Sequence, residues 1–549
     1  MRARDLTRLE RAPYDLLVVG GGIYGLASAY DAASRGLSVA LVEAGDFGSG
    51  ASFNHQKTAH GGLRSLGSGH LGRARESIRE RRALARIAPW FLRPLPFLIG
   101  TYRSAFKNRL ALRAAFRVDT WLGRHRNDGV EPELQLPAPR LVSLAATLRL
   151  FPGVNPEGLT GGAQWYDYQM VESDRLTIAF AAAADRAGAD LANHVQAVEA
   201  LRDGGRIAGM VVRDAFSGRT MAVRARVTLN AAGSRAGEIM AMFGVRRPFP
   251  LVKAMNLVTS KRASDMALGA PGPTGRMLTL VPWRGRAIVG TSQSAALVEP
   301  GDTSVSPEEI EALIADANYA FPALHLSRAD VTLVHRGVVP AAVRADRLPD
   351  LKPAPDVLDH ASEGAEGALT VAGVKYTTAR GVAQRVTDAV AARLGRRVRP
   401  SRTSTTTLPG AGIADHEALA IETARDRGID VPLPHIHHLI RLYAEAAADI
   451  VRLMGDRDDL RAPLSAGVET LGAEVVHVIH TEMAVTLADI VVRRTGLGSA
   501  GEPPFDAVEA CARLAGAELG WDQARMAEEI AAVQRVYTAG TVARALTEP

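Results

Sequence analysis

The chain has 549 residues, 47% apolar and 23% charged, with a formal net charge of +6 and one cysteine. Length and balance exclude a disordered chain and predict two or more domains with a sizeable core. The lone Cys511 excludes an intrachain disulfide framework and a multi-cysteine metal site, and fits a reducing compartment.

The first thirteen residues are charged throughout and lack the apolar core of a secretory signal. Residues 15–20 are a short β-branched run ending in glycine, followed by a helical pattern to Arg35 and a second strand over 37–43. Between strand and helix lies Gly20-Gly21-Gly22-Ile23-Tyr24-Gly25, with the G-x-G-x-x-G spacing. Chemistry demands Gly20, Gly22 and Gly25 there: a tight turn, close approach of backbone to a pyrophosphate, and close helix-to-strand packing, with phosphates on the helix N-terminus. Glu43 closes the second strand, where a carboxylate accepts ribose hydroxyls. The fingerprint predicts a dinucleotide and by itself does not separate FAD from NAD.

A polar loop over 46–57 runs into Lys57-Thr58-Ala59-His60-Gly61-Gly62-Leu63-Arg64, whose paired glycines let backbone pass beside a flat ring. The segment 73–126 is rich in arginine and carries Trp90, Phe91, Phe97, Tyr102, Phe106, Phe116 and Trp121. No nucleic-acid module accompanies this patch, so a nucleic-acid partner is not expected, and peripheral contact with an anionic membrane is favoured over a solvated or substrate-steering face. No stretch reaches the roughly 18 apolar residues of a spanning helix. The middle of the chain, 151–338, mixes strands and helices and predicts a second, substrate-side sheet. Strands are expected at 224–230, 287–290, 331–334 and 369–373, the last leading into a helix with Ala379, Val382, Ala383, Val386 and Val390 on one face. After 403–410 the pattern is almost wholly helical, which marks a domain boundary.

From 57–64 onward the sequence resembles the FAD-dependent glycerol-3-phosphate dehydrogenases, whose corresponding run is of the type S-S-K-L-I-H-G-G-L-R-Y. The resemblance continues in order through Glu80-Arg81-Arg82, Ala88-Pro89, Tyr166-Asp167-Tyr168, Asp174-Arg175-Leu176, Asn230-Ala231-Ala232-Gly233, Val281-Pro282-Trp283 and Gly373-Val374-Lys375-Tyr376-Thr377-Thr378-Ala379-Arg380. It covers about residues 14–400, with a weaker match at 482–498 around Arg493-Arg494.

The resemblance implies FAD as cofactor and a Rossmann-like α/β FAD-binding domain over 1–400. A mixed-sheet substrate domain, mainly about 75–150 and 245–345, is interleaved in it, and a helical domain occupies 401–549. Cofactor contacts are expected from Gly20, Gly22, Gly25 and Glu43, from Ser52 and Lys57 in the loop, and from His60, Gly61 and Gly62. Further contacts are expected from Val195, from Ala232 and Gly233 behind the cofactor, and from Gly373, Lys375, Tyr376 and Thr377 at its pyrimidine edge. The expected chemistry is oxidation of the secondary alcohol of a small phosphorylated polyol, sn-glycerol 3-phosphate first, with electrons passed to quinone. His60 is the candidate for proton transfer, although a structural hydrogen-bonding role is equally open to it; Arg64, Lys253, Arg336 and Lys375 are the candidate cations. No metal is expected. A cytoplasmic protein, peripheral on the cytoplasmic face of the inner membrane, and a homodimer are further expectations.

The departures fall in the substrate pocket. The arginine of the family's G-V-R-P falls on Val339, its K-G-S-H histidine on Asn256, its G-T-T-D aspartate on Gln293, and the tyrosine after G-G-L-R on Ser65. These changes keep open a flavin-dependent dehydrogenase or oxidase acting on another hydroxy substrate; a non-catalytic FAD-bearing scaffold is the third reading.

Overall fold

The computed structural model describes residues 1–11, 13–67, 69–103, 109–344, 347–412, 415–455 and 457–538; the side chains of Arg64, Arg344 and Arg347 are outside that description. Among the described residues the chain forms one sheet of eight strands and one of ten, followed by a run of helices. This is the expected α/β flavoprotein class.

The first strand, Tyr14–Val19, lies between Val39–Val42 and Thr220–Asn230, parallel to both, with Leu16 opposite Val39 and Val227. Beyond these run Asp190–Ala192 on one side and Ala368–Ala372 on the other, again parallel, and Asp356–Asp359 adds an antiparallel edge. A parallel strand buried on both faces is apolar along its buried run, as residues 16–19 are here. Leu16 and Val18 pack with Leu26, Ala29, Phe180, Val382 and Val386 of the helices Ile23–Ser34, Ser173–Arg186 and Ala379–Arg393. Leu17 and Val19 pack on the other side with Val195, Met210 and Val212, from the antiparallel pair Val195–Asp203 and Arg206–Asp214. Each such aliphatic side chain, fully buried, contributes about 1.5–3 kcal/mol.

The second sheet takes its strands from two stretches. Leu92–Tyr102 and Leu159–Met170 pair along their length, and Leu251–Thr259, Ala267–Pro271, Met277–Trp283, Arg286–Gln293, Val331–Arg344 and Arg347–Leu351 complete most of the rest. One face is covered by the helix Pro307–Ala320, with Met255, Leu257, Ile310 and Leu313 in one cluster. At the other face, Trp283 and Phe53 share a cluster with Leu439, Ile450, Val475, Val491 and Cys511 of the C-terminal helices, so that region is packed onto the body of the protein.

Candidate cofactor and substrate site

The turn after the first strand requires glycine for identifiable reasons. Gly20 has φ +111°, and a Cβ there would lie 2.5 Å from the Ala231 carbonyl oxygen. A Cβ on Gly25 would overlap the Gly20 carbonyl oxygen, which is the close helix-to-strand contact the motif predicts. Gly22 caps the helix Ile23–Ser34 in an extended conformation and offers no side chain, so the positive end of the helix opens onto the turn. The Ile23 N–H donates to Ser52 Oγ at 2.9 Å. Glu43 accepts from the Gly21 N–H at 2.5 Å and the Gly45 N–H at 2.8 Å; burial raises its carboxyl above the usual range while those two donors oppose the rise. The Val195 N–H donates to the Glu43 carbonyl at 2.7 Å. Asn230 is fully buried and holds the following bend, donating to the Ala236 carbonyl at 2.8 Å and accepting from the Ala232 N–H at 3.2 Å, with Gly233 at φ +59°. Gly20 and Gly25 thus make room for neighbouring backbone, whereas at Gly22 the missing side chain leaves the helix end uncovered, the place where the motif predicts a pyrophosphate.

Residues 60–62 and 375–377 are brought together opposite that turn. The His60 N–H donates to Thr377 Oγ1 at 3.1 Å, and the Tyr24 hydroxyl, from within the fingerprint, donates to the Lys375 carbonyl at 3.0 Å. Gly373 is needed because a Cβ there would lie 2.5 Å from that same Tyr24 hydroxyl oxygen. The Tyr376 hydroxyl is 2.9 Å from Thr177 Oγ1, and its ring lies 5.2 Å from that of His55. Lys375 precedes the short helical turn Tyr376–Thr378, which runs straight into the helix Ala379–Arg393, so a cation stands at a helix start. The paired glycines admit the neighbouring helix Leu71–Ile87: a Cβ on Gly61 would strike the Arg81 guanidinium, and one on Gly62, at φ +82°, would lie 2.8 Å from Ser77 Cβ.

His60 is exposed and its ring is held at both nitrogens, Nδ1 3.2 Å from Asp167 and Nε2 2.8 Å from Thr58 Oγ1. Asp167 is buried, accepts from the Gly61 N–H at 2.6 Å and Trp165 Nε1 at 3.2 Å, and pairs with Arg81. Its burial would raise the carboxyl, but Arg81, His60 and the Gly61 N–H hold it below the usual range. Asp167 and Arg81 both lie in runs noted in the sequence, Tyr166-Asp167-Tyr168 and Glu80-Arg81-Arg82, yet neither run discloses that the two residues meet.

Two of the expected substrate cations, Lys253 and Arg336, and one expected cofactor contact, Lys57, have side chains that the structure directs elsewhere. Lys253 lies opposite Val338, on the sheet face of Met255 and the helix Pro307–Ala320; its ammonium donates to the Ser304 carbonyl at 2.6 Å and is 2.7 Å from Glu309. It is therefore committed away from the face that carries Val339 and is not placed as a substrate cation. Arg336 pairs with Met255 and shares that far face, with Nη1 buried and without a hydrogen-bond partner among the described residues. It does not replace an arginine at 339. Lys57 is fully buried: its ammonium donates to the Phe53 carbonyl at 2.7 Å, lies 3.5 Å from Asp174 and sits over the Phe53 ring, so its side chain is directed into the core, where burial lowers its pKa.

On the near face, Val339 packs with Val252, Ala341, Leu351 and Val374, the residue before Lys375. Asn256 is buried there opposite His335, accepting from Thr291 Oγ1 at 2.8 Å, and Gln293 donates to the Pro349 carbonyl at 2.5 Å. Ser65 is buried in the helix Leu63–Gly67; the Arg64 side chain, in the same helix, lies outside the described residues.

A largely parallel sheet with a glycine turn at its carboxyl edge, a buried carboxylate at the end of the neighbouring strand, and a second, mixed sheet beside it define a flavoprotein oxidoreductase fold. Residues 15–389 match the family model described as FAD dependent oxidoreductase, and residues 401–526 match the C-terminal domain of alpha-glycerophosphate oxidase. The chain is 30% identical over 546 residues to a glycerol-3-phosphate dehydrogenase of Synechocystis sp., covering 96% of this chain and 97% of that protein. It is 31% identical to glycerol-3-phosphate dehydrogenase 2 of Mycobacterium bovis, covering 96% and 89%. The glycerol-3-phosphate dehydrogenase structure from Bacillus halodurans, complexed with FAD, has the same fold, with TM-score 0.76 at 22% identity over 99% of this chain and 98% of that one. The chain thus belongs to the FAD-dependent glycerol-3-phosphate dehydrogenase family of oxidoreductases.

Proposed function

We propose that the protein binds FAD between its two sheets and oxidises the secondary alcohol of sn-glycerol 3-phosphate to the ketone of dihydroxyacetone phosphate, passing the electrons to quinone. The observation that carries this reading is the convergence of the glycine turn, residues 60–62 and residues 375–377, tied by Tyr24 and Thr377, in a chain similar over its whole length to glycerol-3-phosphate dehydrogenases. Residues 1–400 are read as the FAD-binding unit with the substrate sheet interleaved, and 401–549 as the helical unit. Gly20, Gly22, Gly25 and Ser52 would hold the pyrophosphate, Glu43 the ribose, and Ala232 and Gly233 the back of the site. FAD, when bound, supplies the acceptor for two electrons and the carbinol hydrogen. Lys375 favours negative charge at the pyrimidine edge, and His60, its Nδ1 steadied by Asp167, takes the hydroxyl proton at Nε2 in exchange for its contact with Thr58 Oγ1.

Anaerobic bleaching of the flavin tests the substrate. Loss of a hydrogen bond to a charged group costs about 1.5–3 kcal/mol, so two absent contacts at Val339 and Asn256 weaken glycerol 3-phosphate recognition by about a hundredfold or more. Slow reduction, or reduction only at high concentration, is expected for the wild type, with improvement in Val339→Arg combined with Asn256→His. Bleaching of the wild type at micromolar substrate would mean that other side chains have rebuilt the phosphate site. Absence of bleaching in both proteins would replace this substrate with another hydroxy compound, a reading that the apolar wall around Val339 favours.

Membrane contact belongs to the same proposal, since quinone is dissolved in lipid. Among the described residues no helix is long and apolar enough to cross a membrane. The helix Arg109–Leu122 exposes Leu110, Val118 and Trp121 beside Arg113 and Arg117, while Phe116 and Asp119 face inward; residues 104–108 of the same basic segment lie outside the described residues. An apolar stripe flanked by arginines suits the surface of an anionic bilayer. Sedimentation with anionic vesicles is expected, weakened by salt as the screening length falls to about 10 Å at 0.1 M, and reduced in Leu110→Ala with Trp121→Ala. Equal sedimentation with neutral vesicles, or none with either, would remove this helix as the docking element.

A further inference from the structure

The weakest part of the sequence resemblance, 482–498, reaches the cofactor loop across almost the whole chain. Asp46, three residues beyond Glu43, is buried, and its carboxylate is gripped from the C-terminal helices: Arg494 donates to both of its oxygens at 2.7 Å, and Arg493 Nε donates to Oδ2 at 2.7 Å. Both arginines lie in the π-helical turn Asp489–Arg494. Asn193 Nδ2 adds a bond to Asp46 at 3.1 Å and another to the Met483 carbonyl at 2.8 Å. Arg493 is held in turn by Asp489 at 2.8 Å; Asp489 also meets His194 Nε2 at 2.9 Å, and the His194 N–H donates to the Gly45 carbonyl at 2.7 Å. Burial would raise the Asp46 carboxyl, but Arg494 and Arg493 hold it well below the usual range, so the grip is ionic at neutral pH. The ligand atoms of Asp46, His194 and Asp489 lie within 4.8 Å of one another, but the guanidiniums already balance the two carboxylates.

The loop held in this way touches the fingerprint on both sides of Asp46. Upstream, Glu43 accepts from the Gly21 N–H; downstream, the Gly48 N–H donates to the Gly21 carbonyl at 2.9 Å and Ser52 accepts from the Ile23 N–H. The ribose carboxylate and the hydroxyl at the helix N-terminus are therefore the two arms of one loop whose middle is fastened to the C-terminal domain. We propose that Arg493 and Arg494 are positioning residues for the cofactor: by fixing Asp46 they hold Glu43 and Ser52 in place, and the C-terminal helices thereby set the affinity of a site built around the turn at residues 20–25. This inference rests on the FAD reading of the turn at residues 20–25, and not on the identity of the substrate.

The test is titration of the full-length apoprotein with FAD, together with the rise in thermal midpoint that saturating FAD produces. Arg494→Lys keeps the charge but cannot give the paired hydrogen bonds. Asp46→Asn with Arg494→Leu removes both charges at once, so that a folded protein is recovered even where a single change would strand a buried charge. The FAD dissociation constant is expected to rise by about tenfold to a hundredfold in the double variant and by less in the lysine variant, with a smaller FAD-induced rise in midpoint in both. A folded double variant that binds FAD as tightly as wild type, with an unchanged FAD-induced rise, would overturn the proposal and leave the arginines a purely structural role. A wild-type apoprotein that takes up no FAD would instead overturn the cofactor reading.

Discussion

Gly25→Ala is expected to yield protein without flavin. The added Cβ has no space in front of it but the Gly20 carbonyl oxygen, and Val18 Cγ1 follows at 3.3 Å. The helix cannot retreat, because Leu26 and Ala29 on its inner face are fully buried against the sheet core. Overpacking of this kind costs about 1–3 kcal/mol and occasionally more, and here the strain falls on the turn whose amides would receive the pyrophosphate. Pushing the helix outward also separates Ile23 from Ser52 and Gly21 from Glu43. The ratio of flavin to protein absorbance after purification measures the outcome, with Gly36→Ala as a control for backbone strain alone: Gly36 has φ +91°, which Gly25 does not share, and a Cβ there meets nothing within 4 Å. Retention of stoichiometric flavin by Gly25→Ala would mean that the helix and strand do not meet at this glycine.

Glu80→Ala is expected to destabilise the protein by about 3–5 kcal/mol, because it leaves a buried guanidinium without its partner. Glu80 is fully buried in the helix Leu71–Ile87 and receives Arg380 in paired fashion, at 2.6 and 2.8 Å. Arg380 is itself buried in the helix that follows Lys375, with lesser bonds to Gln384 and Thr403 at 3.2 Å. The pair thus clamps the segment at residues 375–378 against the helix that backs Gly61 and Gly62. Replacing both members, Glu80→Leu with Arg380→Met, should recover much of the loss, since no charge is then left unbalanced. Thermal midpoints of the single and double variants decide it: equal losses would show that packing, and not charge, carries the contact. This pair also explains Glu80-Arg81-Arg82 as a unit, since Glu80 meets Arg380, Arg81 meets Asp167, and Arg82 donates to the His125 carbonyl at 2.7 Å.

What could be read from the sequence was what depends on neighbours along the chain. Gly20, Gly22, Gly25 and Glu43 announce themselves because strand, turn and helix each leave a local period or a forced glycine, and the structure differs only in narrowing the second strand to Val39–Val42. The face that Lys253 occupies is not legible locally, because it is set by register with Val338 and by a shift in pairing with Arg286–Gln293 between Met255 and Asn256. The burial of the Lys57 side chain is not legible in its own loop, because Asp174 and Trp283, which surround it with Phe53, lie more than a hundred residues away. The antiparallel pair Val195–Asp203 and Arg206–Asp214, which covers the other face of the first sheet, leaves little local signal because its alternation is weak at the exposed end. Asp46 gave no sign at all, since its partners lie in another domain.

The register that sets Leu16 beside both Val39 and Val227 has a consequence for the making of the protein. One edge of the first strand is satisfied by chain roughly 20 residues ahead, but the other waits for a partner roughly 210 residues away, a separation that makes folding slow because loop closure precedes any reward. Val18 and Leu16 are fully buried in the finished protein, so a ribosome-bound chain displays an apolar, unpaired strand edge through much of its synthesis. The turn against Ala231 cannot close before that partner arrives, so FAD is captured only after the strand Thr220–Asn230 has been made and paired.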